Sequence, residues 1–291
     1  MIHSKKSKYE QACGSINMIV ALRIAKIQDT LPLMGRLIDL SWSIITGDFF
    51  SQVRSVKAKM QESVFFDHKT NHGKNPPLIS VVIPTLNEVN WLNNCLLSLS
   101  YGRYPNYEII IVDGFSTDGT VDLAKKMGAK IVFSRSKSMS QLIHLGCRKA
   151  RGNIILKTDA DTIFPPKILP TIAEVFTRNP DVQVCNVGHV YYDSGLLVNL
   201  FAHYYDERWR KSWNTSGHFI AFRKSALQLI SFRAHAGEDY MFGYDAFKTF
   251  GPQGVWYDPN IFVLVSSRAI KKYGLIRHTL GRSRSYKSPR L

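Results

Sequence analysis

From Leu78 onward, apolar residues fall into short unbroken runs, separated by stretches in which they recur every three or four positions. "LISVVIP" (78–84) is β-branched, too short for a helix and stopped by proline, which predicts a buried parallel strand. The next stretch, "EVNWLNNCLLSLSY", places Trp91, Leu92, Cys95, Leu96 and Leu99 on one helical face. "YEIIIVD" (107–113) and "KIVFS" (130–134) are two more strands, and "TVDLAKKMGA" between them is a short helix closed by glycine. "MSQLIHLGCRKARG" then predicts a helix ending at Gly152, and "NIILKTD" a fourth strand. Alternation of this kind, with near-continuous apolar strands, needs crossover connections. It predicts an α/β fold with a mostly parallel, doubly wound sheet.

Past Pro166 the pattern loosens. It predicts a helix through "ILPTIAEVFTRN", a strand at "VQVCNVGHVYY" and an aromatic-rich helix over 196–213. "GHFIAFRKSAL" (217–227) follows as strand then helix, and "GEDYMFGYDAFKTFG" (237–251) as a helix opened by acidic residues. Upstream, "INMIVALRIAKI" (16–27) and "LPLMGRLIDLSWSIITGDFF" (31–50) have helical apolar spacing interrupted by charges. That pattern suits docking helices first and interfacial helices second. Neither reaches the roughly 18 to 20 unbroken apolar residues of a membrane span. "FDHKTNHGKNPP" (66–77) reads as a linker. The expected organisation is therefore a helical extension and linker over 1–77, an α/β domain over 78–265 and a basic tail over 266–291.

Charge narrows the partners. Lys and Arg number 38 against 22 Asp and Glu, a net charge of +16, which favours nucleic acid, phospholipid headgroups or nucleotides. The tail from Arg268 carries eight basic residues and no acid, but no nucleic-acid reader motif accompanies it, so no specific nucleic-acid partner is expected. Four scattered cysteines suggest neither a disulfide framework nor a zinc site. With no secretory leader evident, the expected setting is cytoplasmic, with peripheral contact at an anionic membrane face suggested by the upstream helices and the tail.

In doubly wound sheets ligands bind beyond the carboxyl ends of the strands. Three polar clusters stand there: "PTLNE" after the first strand, "DGFSTDGT" after the second and "TDADT" after the fourth. Asp159 and Asp161 share a side if the backbone stays extended. Such a pair suits a hard divalent cation with positions left for phosphate oxygens. Asp113, at a strand tip, can accept hydrogen bonds from a base or ribose. Neither a P-loop nor a strand-following GxGxxG is present, so phosphates must be met by metal and basic side chains.

Taken together, "SVVIPTLNE", "IIIVDGFSTDGT", "RKARGNIILKTDADT", "GHFIAFRKSAL" and "GEDY" resemble glycosyltransferase family 2, inverting nucleotide-sugar enzymes with the GT-A fold. The resemblance implies that Pro84, Thr85, Asn87 and Glu88 line a nucleotide pocket and that Asp113 contacts the base. It implies that Asp159 and Asp161 are the family's DXD, with Asp161 the main ligand of Mn²⁺ or Mg²⁺ on the diphosphate of a UDP- or GDP-sugar. Asp239 would be the general base, and Glu238 would contact the acceptor, a hydroxyl or a lipid phosphate, or orient its loop. The chain departs from the pattern in three places that matter, the first being Leu142-Ile143-His144-Leu145-Gly146 where the family often has Ala-Arg-Asn-x-Gly. Asp245 stands where the family often has arginine, and "VSSRAIKKYG" replaces the Gln-x-x-Arg-Trp of processive synthases. A non-processive reaction is expected, with Arg268 near the diphosphate.

Two other readings compete. A nucleotidyltransferase would share the layout but normally has a glycine-rich, lysine-containing loop where "PTLNE" stands, and a basic nucleic-acid-binding protein would use the tail. His218 and His235 are read first as hydrogen-bonded structural residues and second as pocket or metal residues. Trp209, Trp213 and Trp256 are read first as core and second as surfaces that stack on a sugar or lipid.

Overall fold

The computed structural model describes residues 75–274 apart from 103, 137, 214 and 234–237. The two upstream helices, the 66–77 linker up to residue 74, His235 and the tail beyond Gly274 lie outside the described residues. The strands are β1 (Ile79–Thr85), β2 (Tyr107–Asp113), β3 (Lys130–Phe133), β4 (Ile154–Thr158), β5 (Thr162–Ile163), β6 (Val184–Tyr191), β7 (Phe219–Arg223) and β8 (Val255–Val265). The helices are α1 (Val89–Tyr101), α2 (Thr120–Lys126), α3 (Met139–Lys149), α4 (Ile168–Arg178), α5 (Leu196–Ser212), α6 (Glu238–Phe250) and α7 (Arg268–Tyr273).

One eight-stranded sheet runs in the order β3-β2-β1-β4-β7-β6-β8-β5. β3, β2, β1 and β4 are mutually parallel, as crossover helices demand. β7 then enters antiparallel between β4 and β6, and β8 pairs parallel with β6. The period-two alternation of each strand splits its side chains between two cores. Val81, Ile83, Ile111, Ile154 and Leu156 pack with α1 and α4 on one face. Val82, Ile110, Val112 and Ile155 pack with α3 and α6 on the other. Burying each such Val or Ile contributes about 1.5–3 kcal/mol. α3 lies so close to the sheet that a Cβ on Gly146 would overlap Val82, and would stand 2.9 Å from Val112 Cγ2.

Pro84 is buried inside a central strand, a place proline normally avoids. The carbonyl of Thr85 faces β2, accepting from Gly114 N–H at 2.9 Å, so the missing N–H of Pro84 faces β4. Pairing with β4 has already ended at Val82 opposite Lys157, so no ladder bond is lost.

β8 is the longest element that pattern reading missed, beside the two-residue β5 and the short α7. "VWYDPNIFVLV" is broken by Asp258-Pro259-Asn260, which looks like a turn. In the sheet those residues form an irregularity against β6, whose register jumps between Val187 and Gly188, and the proline sits in that bulge. Among the described residues no helix is long and apolar enough to cross a membrane.

Candidate functional site

The carboxyl ends of β1 and β2 are laced together. Asp113 is fully buried; its carboxylate accepts from Thr85 Oγ1 at 2.8 Å, Ser116 N–H at 2.8 Å and Ser116 Oγ at 2.7 Å. Asn87 N–H donates to Ser116 Oγ at 2.8 Å, and Asn87 Oδ1 accepts from Thr117 N–H at 2.9 Å. Glu88 N–H donates to Thr120 Oγ1 and Val89 N–H to Asp118 Oδ2. Asn87 has φ 56°, a left-handed conformation that asparagine tolerates better than most residues. Phe115, at φ 66°, lies half exposed and stacked on Phe133, with the Arg135 guanidinium over its ring. Thr85 and Asp113 thus meet each other, and Asp113 holds the loop that surrounds it.

The second group gathers where β4 ends. β4 pairs antiparallel with β7 in the register Thr158 opposite Phe219, which puts the residue before β7, His218, beside the residue after β4, Asp159. His218 Nδ1 lies 3.1 Å from Asp159 Oδ2, and Thr158 Oγ1 donates to His218 O at 2.7 Å. One ligating atom from each of Asp159, Asp161 and His218 lies within 4.8 Å of the others. Two carboxylates and one imidazole are a donor set that fits a divalent metal. His218, read from sequence as structural ahead of metal binding, belongs to that set by position.

Lys157 is the residue that sequence reading overlooked. Its side chain is only 1% exposed, and its ammonium donates to Asp159 Oδ1 at 3.0 Å, Asp239 Oδ2 at 3.1 Å and Gly217 O at 2.6 Å. Glu238 and Asp239 are the first two residues of α6, so this lysine joins the base candidate to the first aspartate of the pair. The available signal was the strand pattern itself: a lysine one residue before the end of a run otherwise read as buried.

Arg268, the first residue of α7, reaches across the same edge. Its guanidinium binds Glu88 through two nitrogens at 2.6 and 3.0 Å, touches Asp161 Oδ2 through Nε at 2.7 Å, and lies over the Trp91 ring. α7 is moored by Asp193, which accepts from Ser266 Oγ, Ser267 N–H and Lys271 Nζ. Behind His218, His189 lies with its ring 5.3 Å away and its Nδ1 2.8 Å from the buried Asp206.

The two aspartates of the pair differ electrostatically. Burial opposes the ionisation of Asp159, but Lys157 and His218 outweigh it and hold the carboxyl well below the usual range. Burial also raises Asp161, and the charge on Asp159 raises it further; Arg268 compensates only in part, leaving it pushed up to about 6. Burial disfavours the charge on Lys157, yet Asp159 and Asp239 push its ammonium above the ordinary lysine range. Trp213 stacks on Phe247 with centroids 4.7 Å apart, and Trp256 packs against the core, both as read from sequence.

The Glycosyl transferase family 2 model matches residues 80–231. A dolichol-phosphate mannosyltransferase of Pyrococcus furiosus is 29% identical over 133 residues, 42% of this chain and 35% of that protein. A dolichyl N-acetyl-alpha-D-glucosaminyl phosphate 3-beta-D-2,3-diacetamido-2,3-dideoxy-beta-D-glucuronosyltransferase of Methanococcus voltae is 44% identical over 123 residues, 38% of each chain. The matched stretches therefore span little more than a third of these relatives. Among solved structures, a mannosyltransferase of Pyrobaculum calidifontis, in complex with GDP-Man and Mn²⁺, aligns with TM-score 0.53 and 20% identity over 82% of this chain and 74% of its own. Glucosyl-3-phosphoglycerate synthase of Mycobacterium tuberculosis, in complex with Mn²⁺, UDP and glucosyl-3-phosphoglycerate, aligns with TM-score 0.55 and 20% identity over 71% and 80%. At that identity the likeness speaks to the fold, which is the GT-A arrangement that the resemblance implied. With the family model covering more than half of its 291 residues, the chain belongs to glycosyltransferase family 2.

Proposed function

We propose that the chain transfers a sugar, with inversion and without processivity, from a UDP- or GDP-sugar to an acceptor. The observation that carries this reading is the convergence on one sheet edge of Asp159, Asp161 and His218 with Asp239. Asp159, Asp161 and His218 would hold Mn²⁺ or Mg²⁺, and the nitrogen donor favours Mn²⁺. Bound there, the metal supplies Lewis-acid stabilisation of the departing diphosphate. Arg268 would turn from Asp161 to the diphosphate oxygens and add its positive charge. Thr85, Asn87 and Glu88 would shape the nucleotide pocket with Pro84 beneath, and Asp113 would act there mainly by fixing the loop.

Asp239 would take the proton from the acceptor oxygen as that oxygen bonds to the anomeric carbon, while the bond from that carbon to the phosphate oxygen breaks and its electrons leave with the diphosphate. Glu238, beside it, would orient the acceptor. A base suits a hydroxyl acceptor, because a phosphate acceptor arrives already ionised. The named activity of the dolichol-phosphate mannosyltransferase keeps a lipid phosphate as the second choice. The organisation that goes with this function is an extension over 1–77, the transferase domain over 78–265 and a basic tail over 266–291, with the extension and tail contacting an anionic membrane face.

A panel of nucleotide sugars, assayed for Mn²⁺-dependent nucleotide release, tests the reading. One donor should be turned over with metal and not with chelator. Asp239→Asn should lose about 10²–10⁴-fold in turnover while binding UDP or GDP with Mn²⁺ normally. Full activity in that variant would remove Asp239 as base, and metal-independent turnover would remove the metal site.

A further inference from the structure

We infer that Lys157 and Gly217 form a built seat that positions the Asp239 carboxylate, an inference that rests on the proposed role of Asp239 as base. Two independent observations support it, one electrostatic and one steric.

A lysine ammonium has three N–H donors and no acceptor. On Lys157 those donors are matched by three acceptors, one each on Asp159, Asp239 and the Gly217 carbonyl, inside a pocket that leaves the side chain 1% exposed. No donor is left over for a substrate. Lys157 is therefore a positioning residue rather than a catalytic one. Its three partners come from the end of β4, the start of α6 and the turn before β7, so one cation holds together three segments that the chain delivers separately.

Gly217 closes the seat from the other side. A Cβ built on it would stand 2.5 Å from Asp239 Oδ2, 3.2 Å from Cγ and 3.4 Å from Cβ, and these are its three nearest neighbours. The backbone of Gly217 is not left-handed, so an L side chain meets no backbone strain there. The glycine leaves room for one thing, the carboxylate of Asp239. Lys157 pulls the Asp239 carboxylate down onto Gly217, and Gly217 is bare enough to let it arrive. The same ammonium grips Asp159, so the group that would accept the proton and the group that would face the metal are fixed at one mutual distance. That distance is what an in-line displacement between acceptor and departing diphosphate has to respect.

The test compares Gly217→Ala, Lys157→Arg and Asp239→Asn, with Lys157→Met as the harsher variant. With the nucleotide sugar that the panel selects, Gly217→Ala should lose on the order of a hundredfold in kcat. Its donor KM and its calorimetric affinity for Mn²⁺ with UDP or GDP should stay within about twofold, since Asp159, Asp161 and His218 are untouched. A lesion that merely loosened the fold would move KM and affinity too. Lys157→Arg keeps the charge but replaces three tetrahedral donors with a planar fork, and should retain more turnover than Lys157→Met without reaching the parent. A crystal structure of Gly217→Ala should show Asp239 displaced from Lys157. An unmoved carboxylate, or parent-level kcat in Gly217→Ala while Asp239→Asn is inactive, overturns the seat alone. Full activity in Asp239→Asn overturns the base assignment and the seat with it.

Discussion

The parallel half of the sheet, β3-β2-β1-β4, and the mixed half, β7-β6-β8-β5, contribute to the same edge in different ways. In the parallel half each functional group sits at a strand tip and is fixed by the loop next door: Thr85 and Ser116 on Asp113, Asn87 against Ser116 and Thr117. In the mixed half the groups are delivered by long-range pairing. His218 reaches Asp159 through an antiparallel register, Asp239 is held by a lysine 82 residues earlier, and Arg268 meets a glutamate 180 residues earlier. The first kind of site is assembled by local rules. The second exists only once the whole sheet has closed.

Removing the joint between the halves should have the largest effect. Lys157→Met leaves Asp159 and Asp239, both part-buried, facing each other without their shared cation, and should destabilise the fold by about 3 kcal/mol, the lower end of the cost of breaking a buried pair, because both keep some solvent. Denaturant titration reads this directly. A loss below about 1 kcal/mol, the scale of an exposed pair, would mean that the halves do not depend on that lysine.

Arg268→Ala should produce two effects of opposite sign. In the free protein Arg268 occupies Asp161, so its removal should tighten Mn²⁺ binding severalfold in the absence of nucleotide. With nucleotide present the same variant should bind the Mn²⁺–UDP or Mn²⁺–GDP pair about 10- to 150-fold more weakly, the worth of a charge-assisted hydrogen bond of about 1.5–3 kcal/mol. Titration calorimetry with and without nucleotide distinguishes this from simple loss of charge, which would not change sign.

The smallest effect belongs to pH. Asp161 is raised to about 6, and an acid raised in this way is protonated, neutral and a poor ligand below that value. Asp159 is depressed and stays ionised throughout. Lowering the pH from 7 to 5 should therefore weaken Mn²⁺ binding by about tenfold, and no further gain should follow between 7 and 8. In Arg268→Ala the midpoint should move up, because the guanidinium that offsets the charge on Asp159 beside Asp161 is gone.

The division between the halves also explains what was legible. Strand tips could be found from apolar runs and their flanking polar residues, so Pro84, Thr85, Asn87, Asp113, Asp159 and Asp161 were all singled out from pattern or resemblance. His218 was noticed but read first as structural, because its place in the site depends on which residue of β7 stands opposite Thr158, and no local spacing encodes that register. Gly217 and Lys157 were not singled out. A glycine in a polar turn and a lysine at a strand end are common residues in common places, and their meaning lies in a carboxylate brought from α6. β8 escaped because its bulge carries the residues of a turn, and the helices expected upstream lie outside the described residues.

The lacing of the β1 and β2 loops bears on the entropy of recognition. Fixing a residue's backbone costs about 1–2 kcal/mol, and holding Asn87 and Phe115 at positive φ adds on the order of 1 kcal/mol each. Here those costs are met when the chain folds, by hydrogen bonds that need no ligand. On the proposed function, a nucleotide arriving at this edge would meet a surface that is already ordered, so its binding free energy would not go into organising the loops and would remain available for the bond being broken.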